Sequence, residues 1–297
     1  MKPSLIFHQY IWLVESLLHN KRMTLAQINR KWIDDEVAEG NPLSRTTFNR
    51  HRDAILDIFG VVIDCDLADD YKYYISNPEV LDSDTIERWM LSTLTVGTVL
   101  SDSLSIQDRI ILENVPAGEA YLSLIIKAMK MNHRIKMGYQ RFGADNYKLV
   151  VAPYALKLFH QRWYLLAFTG WYIVTYSLDR ITSLSITDET FQKPADFSPE
   201  DYFSEYYGVL TDETPMAHVV IRAYGKTPNY LRTLPLHHSQ REINTTPKYS
   251  DFSYDIRPTY DFQDALFSHV SGIEVLKPIE LREKMKNEIE KMLENYK

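Results

Sequence analysis

The chain has 297 residues, of which 45% are hydrophobic and 25% charged, and this composition excludes wholesale disorder while allowing two or three domain cores. Its formal net charge of -7 excludes a protein that coats nucleic acid through bulk positive charge, so nucleic-acid binding must depend on local patches. The single cysteine, Cys65, excludes an intramolecular disulfide and fits a reducing compartment. We therefore expect a cytoplasmic protein that does not associate with membranes.

The first 78 residues have the pattern of three helices followed by a β-hairpin. Thr24 and Ser44 are placed to cap the second and third helices, and Gly60 to end the third. This arrangement predicts a winged helix-turn-helix DNA-binding domain over residues 1–78. The predicted elements are helices over 5–18, 25–33 and 45–59 and strands over 61–63 and 71–75.

The third predicted helix carries side chains suited to reading double-stranded operator DNA. Arginine and asparagine can pair with base edges in the major groove, and hydroxyl groups at a helix start can bind phosphate. Exposed arginines are often only solvated, but here they follow two short helices and precede a hairpin. The acidic hairpin loop is expected to stay off the DNA, while Lys72 can add a contact. The predicted DNA-binding residues are Ser44, Arg45, Thr46, Thr47, Asn49, Arg50 and Arg52.

The remaining chain is divided by its changes of periodicity. Residues 79–132 predict a helical linker, with Asp82 or Ser83 as its first cap. Residues 133–195 predict a small five-stranded barrel, and residues 196–297 a mixed α/β extension for dimerisation or ligand gating, which ends in a helix. The whole is therefore expected to be an α+β protein. The predicted barrel strands are 134–139, 148–152, 162–168, 172–177 and 181–186.

Three motifs in this strand-rich region resemble the WYL domain of bacterial regulators. They are Val151 with Pro153-Tyr154 and Leu156, then Arg162-Trp163-Tyr164-Leu165, then Ser177-Leu178-Asp179-Arg180-Ile181. The resemblance implies an Sm-like, SH3-like five-stranded barrel, a ferredoxin-like C-terminal extension and frequently a homodimer. It also implies that a nucleotide or nucleic-acid effector, including single-stranded DNA, alters promoter binding. Control of DNA-damage or phage-defence genes follows only by analogy.

Interleaved aromatic and basic residues in the strand-rich region suit such an effector, because rings stack on bases and cations pair with phosphates. Strand alternation places Arg162 and Tyr164 on one face and Trp163 on the other, so Trp163 is expected in the core. Arg180 can alternatively pair with Asp179. For Arg222 and Arg241, in the extension, a position on the solvated surface is as good an interpretation as ligand binding. The predicted ligand-binding residues are Tyr139, Arg141, Tyr154, Lys157, His160, Arg162, Tyr164, Tyr176 and Arg180, with Arg222 and Arg241 from the extension.

No catalytic, metal or cofactor site is expected. Motifs for serine hydrolases, zinc proteases, P-loop proteins and dinucleotide-binding proteins are absent, and His237-His238 lacks a third ligand at suitable spacing. Two alternatives stay open: a regulator that senses a non-nucleotide small molecule, and an interaction adaptor without DNA binding. We hypothesise that ligand binding between the barrel and the extension shifts the linker helices, and with them the separation of two winged helices in a dimer.

Overall fold

The computed structural model describes residues 3–81, 85, 88–94, 118–143 and 145–297. The predicted cap at Asp82 or Ser83 and much of the predicted linker lie outside these residues, although 88–94 are helical. The chain forms two compact units, Met1–Glu113 and Asn114–Lys297. Among the described residues, no helix has the length and apolar character that crossing a membrane requires.

The N-terminal unit contains the three predicted helices and a hairpin. The first strand of this hairpin lies over Ile63–Asp66 rather than the predicted 61–63, so it includes the start of the predicted acidic loop. Thr24 and Gln27 form a capping box at the second helix, and Ser44 Oγ accepts a hydrogen bond from Thr47 N at 3.1 Å. Gly60, in the left-handed region at φ 65°, ends the third helix. The elements are α1 (Pro3–Asn20), α2 (Leu25–Asp34), α3 (Arg45–Phe59), β1 (Ile63–Asp66) and β2 (Lys72–Ile75), the two strands being antiparallel.

The core of this unit encloses a histidine. His51 lies 1% exposed between Trp32 and Tyr10, with ring centroids 6.2 Å and 5.0 Å away respectively. Neither of its ring nitrogens has a hydrogen-bond partner among the described residues. Burial lowers the pKa of His51 to about 4, so the imidazole is neutral at pH 7. The apolar side chains of the helices and the hairpin, which include Trp32 and Tyr10, form one buried cluster.

The C-terminal unit begins with a helix packed on a five-stranded antiparallel sheet of order β6-β5-β4-β3-β7. Ile125 and Ala128 of the helix join Ile135, Val151 and Leu165 in the core. The elements are α4 (Leu122–Met131), β3 (His133–Gln140), β4 (Asn146–Phe159), β5 (Arg162–Phe168), β6 (Ile173–Ser177) and β7 (Ile181–Thr190).

The predicted closed barrel was wrong in one respect, because within the described residues this sheet is open. The long strand β4 pairs with β3 over residues 146–151 and with β5 over residues 152–159. This sharing leaves β6 and β7 as the two edges, which a short 3-10 turn, Leu178–Arg180, connects along the chain. All five strands overlap their predicted positions, but β4, predicted over 148–152, extends over Asn146–Phe159.

A second antiparallel sheet, of order β11-β8-β10-β9, forms the rest of the unit. Its core contains Ile221 and Tyr254 from the strands and Leu231, Phe262 and Leu281 from three helices. The protein is thus the expected mixed α+β type. The elements are α5 (Pro199–Phe203), β8 (Ala217–Tyr224), α6 (Thr227–Thr233), β9 (Arg241–Thr245), β10 (Tyr249–Ile256), α7 (Tyr260–Phe267), β11 (Ile273–Lys277) and α8 (Ile279–Glu294).

Candidate functional site

A cavity of about 330 Å³ lies between the β4–β5 hairpin and the region around α7. It brings together three of the predicted ligand-binding residues, His160, Arg162 and Tyr164. Arg162 and Tyr164 both lie on its wall because, as predicted, they point to the same face of the strand. The remaining lining residues are Phe159, Tyr207, Leu236, Asp261, Asp264, Ala265 and Ser268. Sequence reasoning missed this opposite wall, because no local motif marks it.

The turn of the β4–β5 hairpin holds His160 at the cavity. His160 and Gln161 both lie in the left-handed region, at φ 45° and φ 63°, which is the geometry of the two-residue turns that close hairpins. The imidazole stacks on Phe159 with centroids 4.1 Å apart, and its Nε2 is 3.2 Å from the Tyr207 hydroxyl. Left-handed residues other than glycine carry strain, and such strain is concentrated at functional sites.

Arg162 is oriented by a hydrogen-bonded chain that reaches back into the first sheet. Its Nη1 donates to Asp179 Oδ2 at 3.3 Å, and the other carboxylate oxygen of Asp179 accepts from Ser177 Oγ. Ser177 N in turn donates to the Tyr139 hydroxyl at 3.1 Å. The Arg162 side chain remains 41% exposed, so an anion in the cavity can reach it.

Lys157 holds residues 207–210 in place by a hydrogen bond. We call this segment, which contributes Tyr207 to the cavity wall, the strap. Lys157 Nζ donates to Gly208 O at 2.7 Å, while Asp261 Oδ2 accepts from Val209 N and Leu210 N at 2.7 Å and 2.8 Å. A side chain at Gly208 would collide with the Asp261 carboxylate, so glycine allows this close approach. Burial lowers the pKa of Lys157 to about 8, which leaves it mainly protonated at pH 7.

Three predicted ligand-binding tyrosines lie in the interior instead. Tyr139 and Tyr176 are 5% and 4% exposed, with ring centroids 5.0 Å apart, and burial raises the pKa of Tyr176 to about 12. Tyr154 stacks between Phe168 and Phe191 in a small separate core. None of the three is among the described residues that line the cavity.

Two predicted arginines of the first sheet lie against aromatic rings. The Arg141 guanidinium carbon is 5.1 Å from the centre of the Tyr147 ring. Arg180 does not follow the alternative of pairing with Asp179, whose carboxylate contacts Arg162; its guanidinium carbon lies 3.6 Å from the centre of the Phe142 ring. Sequence reasoning did not consider Phe142, since the contact joins residues far apart in the chain.

The two predicted arginines of the second sheet are engaged elsewhere. Arg222 forms a bidentate pair with Asp251, with nitrogen to oxygen distances of 2.7 Å and 3.1 Å, and stacks on Tyr249. Arg241 Nη1 donates to the carbonyl oxygens of His238 and Gln240. Both arginines lie outside the set of described residues that lines the cavity.

In the N-terminal unit, most of the predicted DNA-binding residues share one exposed face. The hydroxyl of Ser44 donates to Thr47 Oγ1, which leaves Thr47 partly buried in the cap. The later part of the same helix exposes Asp53 and Asp57, so its surface is basic at the start and acidic towards the end. The exposed predicted residues are Ser44, Arg45, Thr46, Asn49 and Arg50.

Arg52, also predicted to contact DNA, joins α3 to the hairpin. Its Nε donates to Ile63 O at 2.9 Å, and its guanidinium carbon is 5.4 Å from the centre of the Tyr73 ring. At the hairpin, Lys72 Nζ donates to Asp69 at 2.7 Å, and Arg22 pairs with Asp66 at 2.6 Å. Both basic side chains therefore offset the acidic loop.

His237, the first of the two adjacent histidines, is hydrogen-bonded within the protein. His237 Nε2 donates to Ser204 O at 2.9 Å, and its Nδ1 is 2.7 Å from Ser239 Oγ. Across the part of the chain that the structure describes, no group of three or more His, Cys, Asp or Glu side chains is placed to bind a metal ion.

Two domain models match the chain, and both matches fall within the C-terminal unit. The WYL domain matches residues 120–186, and the WCX domain matches residues 215–293. The first match confirms the resemblance carried by the three strand motifs and extends it to α4. Among curated proteins, none matches the sequence.

Two solved structures are similar to the chain at low identity. Proteasome accessory factor B/C (PafBC) of Arthrobacter aurescens is 19% identical, with a TM-score of 0.36, over 94% of this chain and 45% of that chain. A CRISPR Cas-related protein is 12% identical, with a TM-score of 0.40, over 90% of this chain and 77% of that chain. The present chain therefore spans less than half of the first protein.

Proposed function

We propose that this protein is a ligand-responsive transcription regulator whose WYL domain binds a nucleotide or a single-stranded nucleic acid in the cavity. The observation that carries the proposal is the position of Arg162, which belongs to the matched WYL region and lines the cavity while Asp179 fixes its orientation. Arginine is the side chain best suited to phosphate, because its planar fork donates two parallel hydrogen bonds.

The rings around Arg162 support an effector that contains bases. Tyr164, His160 and Tyr207 line the same cavity, and each presents a flat surface on which a base can stack. The volume of the cavity, about 330 Å³, falls at the lower end of the range for small-molecule sites, so the cavity accommodates one nucleotide more readily than several.

We propose that the N-terminal unit binds operator DNA through the first half of α3. The exposed Arg45, Asn49 and Arg50 supply major-groove contacts, and Ser44 and Thr46 lie where a phosphate would meet the helix start. Helix-turn-helix proteins likewise contact bases mainly through the N-terminal residues of the recognition helix. The acidic end of α3 would then lie away from the phosphates.

The domain organisation follows the same proposal. A winged helix over residues 1–78 and a linker precede a WYL sensor that ends at 195 and an extension over 196–297. The linker, predicted over 79–132, is shorter than expected, because the WYL match begins at residue 120 and α4 packs on the first sheet. In the extension, the chain order strand, helix, strand, strand, helix, strand and the sheet order β11-β8-β10-β9 support the ferredoxin-like assignment. We propose a cytoplasmic, non-catalytic homodimer in which the effector changes the preferred separation of two winged helices.

One observation favours a second candidate effector, a small molecule with both a positively and a negatively charged group. Asp264 lines the wall opposite Arg162, so the cavity also presents a carboxylate to its ligand. A phosphate would be repelled there, whereas a ligand with a cationic group beside its anionic group would pair with both walls. This alternative keeps the transcription regulator and changes only the effector.

Fluorescence anisotropy with labelled duplex from the protein's own promoter tests the proposal. Titrations at two salt concentrations, with and without short single-stranded oligonucleotides or mononucleotides, measure both functions in one assay. Salt-sensitive duplex binding that changes with the oligonucleotide or nucleotide is the expected result. Duplex binding that responds to neither probe would favour the zwitterionic ligand, and the absence of duplex binding would favour the adaptor.

A further inference from the structure

A hollow of about 240 Å³ lies on the outer face of the first sheet, over strands β3, β4 and β7. Gly138 forms its floor, because the strand register places this residue between Lys148 of β4 and Ser183 of β7. Two residues earlier in β3, Lys136 is paired with Ser185. Alternate residues of a strand share a face, so both lysines and both serines surround the glycine. The hollow shares no described lining residue with the cavity, so it is a separate place on the molecule.

An extra residue in β7 directs two successive hydroxyl groups towards this glycine. Gly138 pairs with Ser183 and Tyr139 pairs with Ile181, which leaves Thr182 unpaired as a β-bulge. In a regular strand, successive side chains point to opposite faces. Here, a Cβ atom at Gly138 would lie 2.5 Å from Thr182 Oγ1 and 2.7 Å from Ser183 Oγ. The bulge and the missing side chain therefore bring both hydroxyls to the same side of the sheet.

A hydrogen bond between side chains closes one end of the hollow. Asn146 Nδ2, on β4, donates to Thr182 Oγ1, on β7, at 2.9 Å, so the two side chains meet across β3. Thr182 accepts this bond, which leaves its own hydroxyl proton available to a ligand. The Thr182 hydroxyl is therefore oriented before a ligand binds.

The hollow combines positive charge with hydrogen-bond donors. Lys136 and Lys148 are exposed, and neither forms an ion pair with another residue that the structure describes. The described lining residues include no carboxylate, although the chain as a whole has a formal net charge of -7. Ammonium and hydroxyl groups without a carboxylate favour an anion that has several acceptor oxygens.

We propose that the hollow binds a phosphate or diphosphate group of a small molecule. The ammonium groups of Lys136 and Lys148 pair with the phosphoryl oxygens, and the hydroxyls of Thr182 and Ser183 donate hydrogen bonds to them. A small molecule fits better than a nucleic-acid backbone, because a strand is bound along an extended basic groove. Here, two lysines flank a hollow that is closed at one end. This site lies outside the cavity and is independent of the effector proposed there.

Nuclear magnetic resonance of the full chain provides a signal from the floor of the hollow itself. Labelling methionine carbonyl carbons with ¹³C and glycine nitrogens with ¹⁵N identifies the Gly138 amide, because Met137-Gly138 is the one Met-Gly pair in the sequence. Titration with sodium pyrophosphate in a phosphate-free buffer should shift this signal until the site is saturated. Because the signal is local, pyrophosphate bound elsewhere on the protein is not mistaken for binding in the hollow.

Lysine variants test whether the hollow or the net charge attracts the anion. Lys136→Ala and Lys148→Ala should each weaken pyrophosphate binding about fivefold or more, because a charge-assisted contact is lost. Lys130→Ala, which removes an exposed lysine from α4, is the matched control and should bind as the wild type does.

Three outcomes would overturn the proposal. A Gly138 signal that does not move at millimolar pyrophosphate would exclude the site. The same loss of affinity in Lys130→Ala as in Lys148→Ala would show that the anion follows net charge. A signal that shifts with promoter duplex and not with pyrophosphate would replace the small molecule by a nucleic-acid backbone.

Discussion

The guanidinium of Arg162 and the carboxylate of Asp179 lie 3.3 Å apart and join the cavity wall to the turn between β6 and β7. Both side chains are partly exposed, so the pair itself adds little stability, typically below about 1 kcal/mol. Its importance is geometric, because it directs Arg162 towards the cavity. The same turn carries Arg180, so a shift of Asp179 would also move the contact between Arg180 and Phe142.

We expect Arg162→Ala to weaken effector binding about tenfold to a hundredfold, because a charge-assisted contact to phosphate is lost. Operator binding without effector and the midpoint of urea unfolding should stay close to the wild-type values. Calorimetric titration and urea denaturation measure the two properties. Arg162→Lys, which keeps the charge but not the fork, should bind with intermediate affinity. Loss of operator binding in Arg162→Ala would instead indicate a folding role.

Operator recognition is tested at opposite ends of α3. Arg50→Ala should weaken binding to promoter duplex about fivefold or more and reduce the preference for this duplex over an unrelated one, because a major-groove contact is lost. Asp57→Asn, at the acidic end of the same helix, is the control and should bind at least as well as the wild type. Anisotropy titrations with the two duplexes measure both variants. Equal affinities for the wild type and Arg50→Ala would remove this residue from the interface.

Arg52 and Arg50 should differ in their effect on stability. Arg52→Ala removes the hydrogen bond to Ile63 O and the contact with Tyr73, so the free energy of unfolding of the N-terminal unit should fall by about 1–2 kcal/mol. Arg50→Ala, which removes an exposed side chain from the same helix, should change it by less than about 0.5 kcal/mol. Urea denaturation followed by tryptophan fluorescence compares the two variants. Equal stabilities would contradict the structural role of Arg52.

The buried His51 should make the N-terminal unit less stable in acid. An unfolded chain binds a proton at histidine below pH 6.5, whereas the folded unit does so only near its lowered pKa of about 4. The free energy of unfolding should therefore fall as the pH drops through this window, by about 1 kcal/mol between pH 7.5 and 5.5. The decrease should reach about 3 kcal/mol near pH 4.

Urea denaturation of the wild type and His51→Phe at pH 7.5 and 5.5 measures this effect. The variant should lose less stability than the wild type on acidification, because its ring cannot take up a proton. His237, whose pKa is also lowered to about 4, is present in both proteins and cancels from the comparison. The same acid sensitivity in both proteins would show that His51 is not its source.

Local signals in the sequence predicted most of the elements but not the site. The predicted third helix has the observed bounds, since Ser44 and Gly60 act on their immediate neighbours. Helices α5 and α7 and strands β9 and β11 were missed, because segments of 5 to 8 residues are too short to show a clear period. The opening of the first sheet depends on how β4 divides its pairing between two partners, and no single segment encodes that division.

For the candidate site too, local patterns predicted some features, whereas long-range packing decided the others. The alternation of β5 correctly put Arg162 and Tyr164 together, because the side-chain period of a strand is a local property. Residue type alone could not distinguish Lys157, which fastens the strap, from a ligand-binding lysine. Likewise, it could not place Tyr139 and Tyr176 in the core or pair Arg180 with Phe142, since each of these depends on long-range packing.

The central claim is that a ligand in the cavity and operator DNA on α3 influence each other's binding, and the reciprocal binding constants test it most directly. The affinity for promoter duplex is measured with and without a saturating concentration of a thymidine tetranucleotide. The affinity for the tetranucleotide is then measured with and without saturating duplex. Linkage requires the two ratios to be equal, and we expect both to differ from one in the wild type. In Arg162→Ala, the same tetranucleotide concentration should leave duplex affinity unchanged. Ratios of one in a wild-type protein that binds both ligands would contradict the claim.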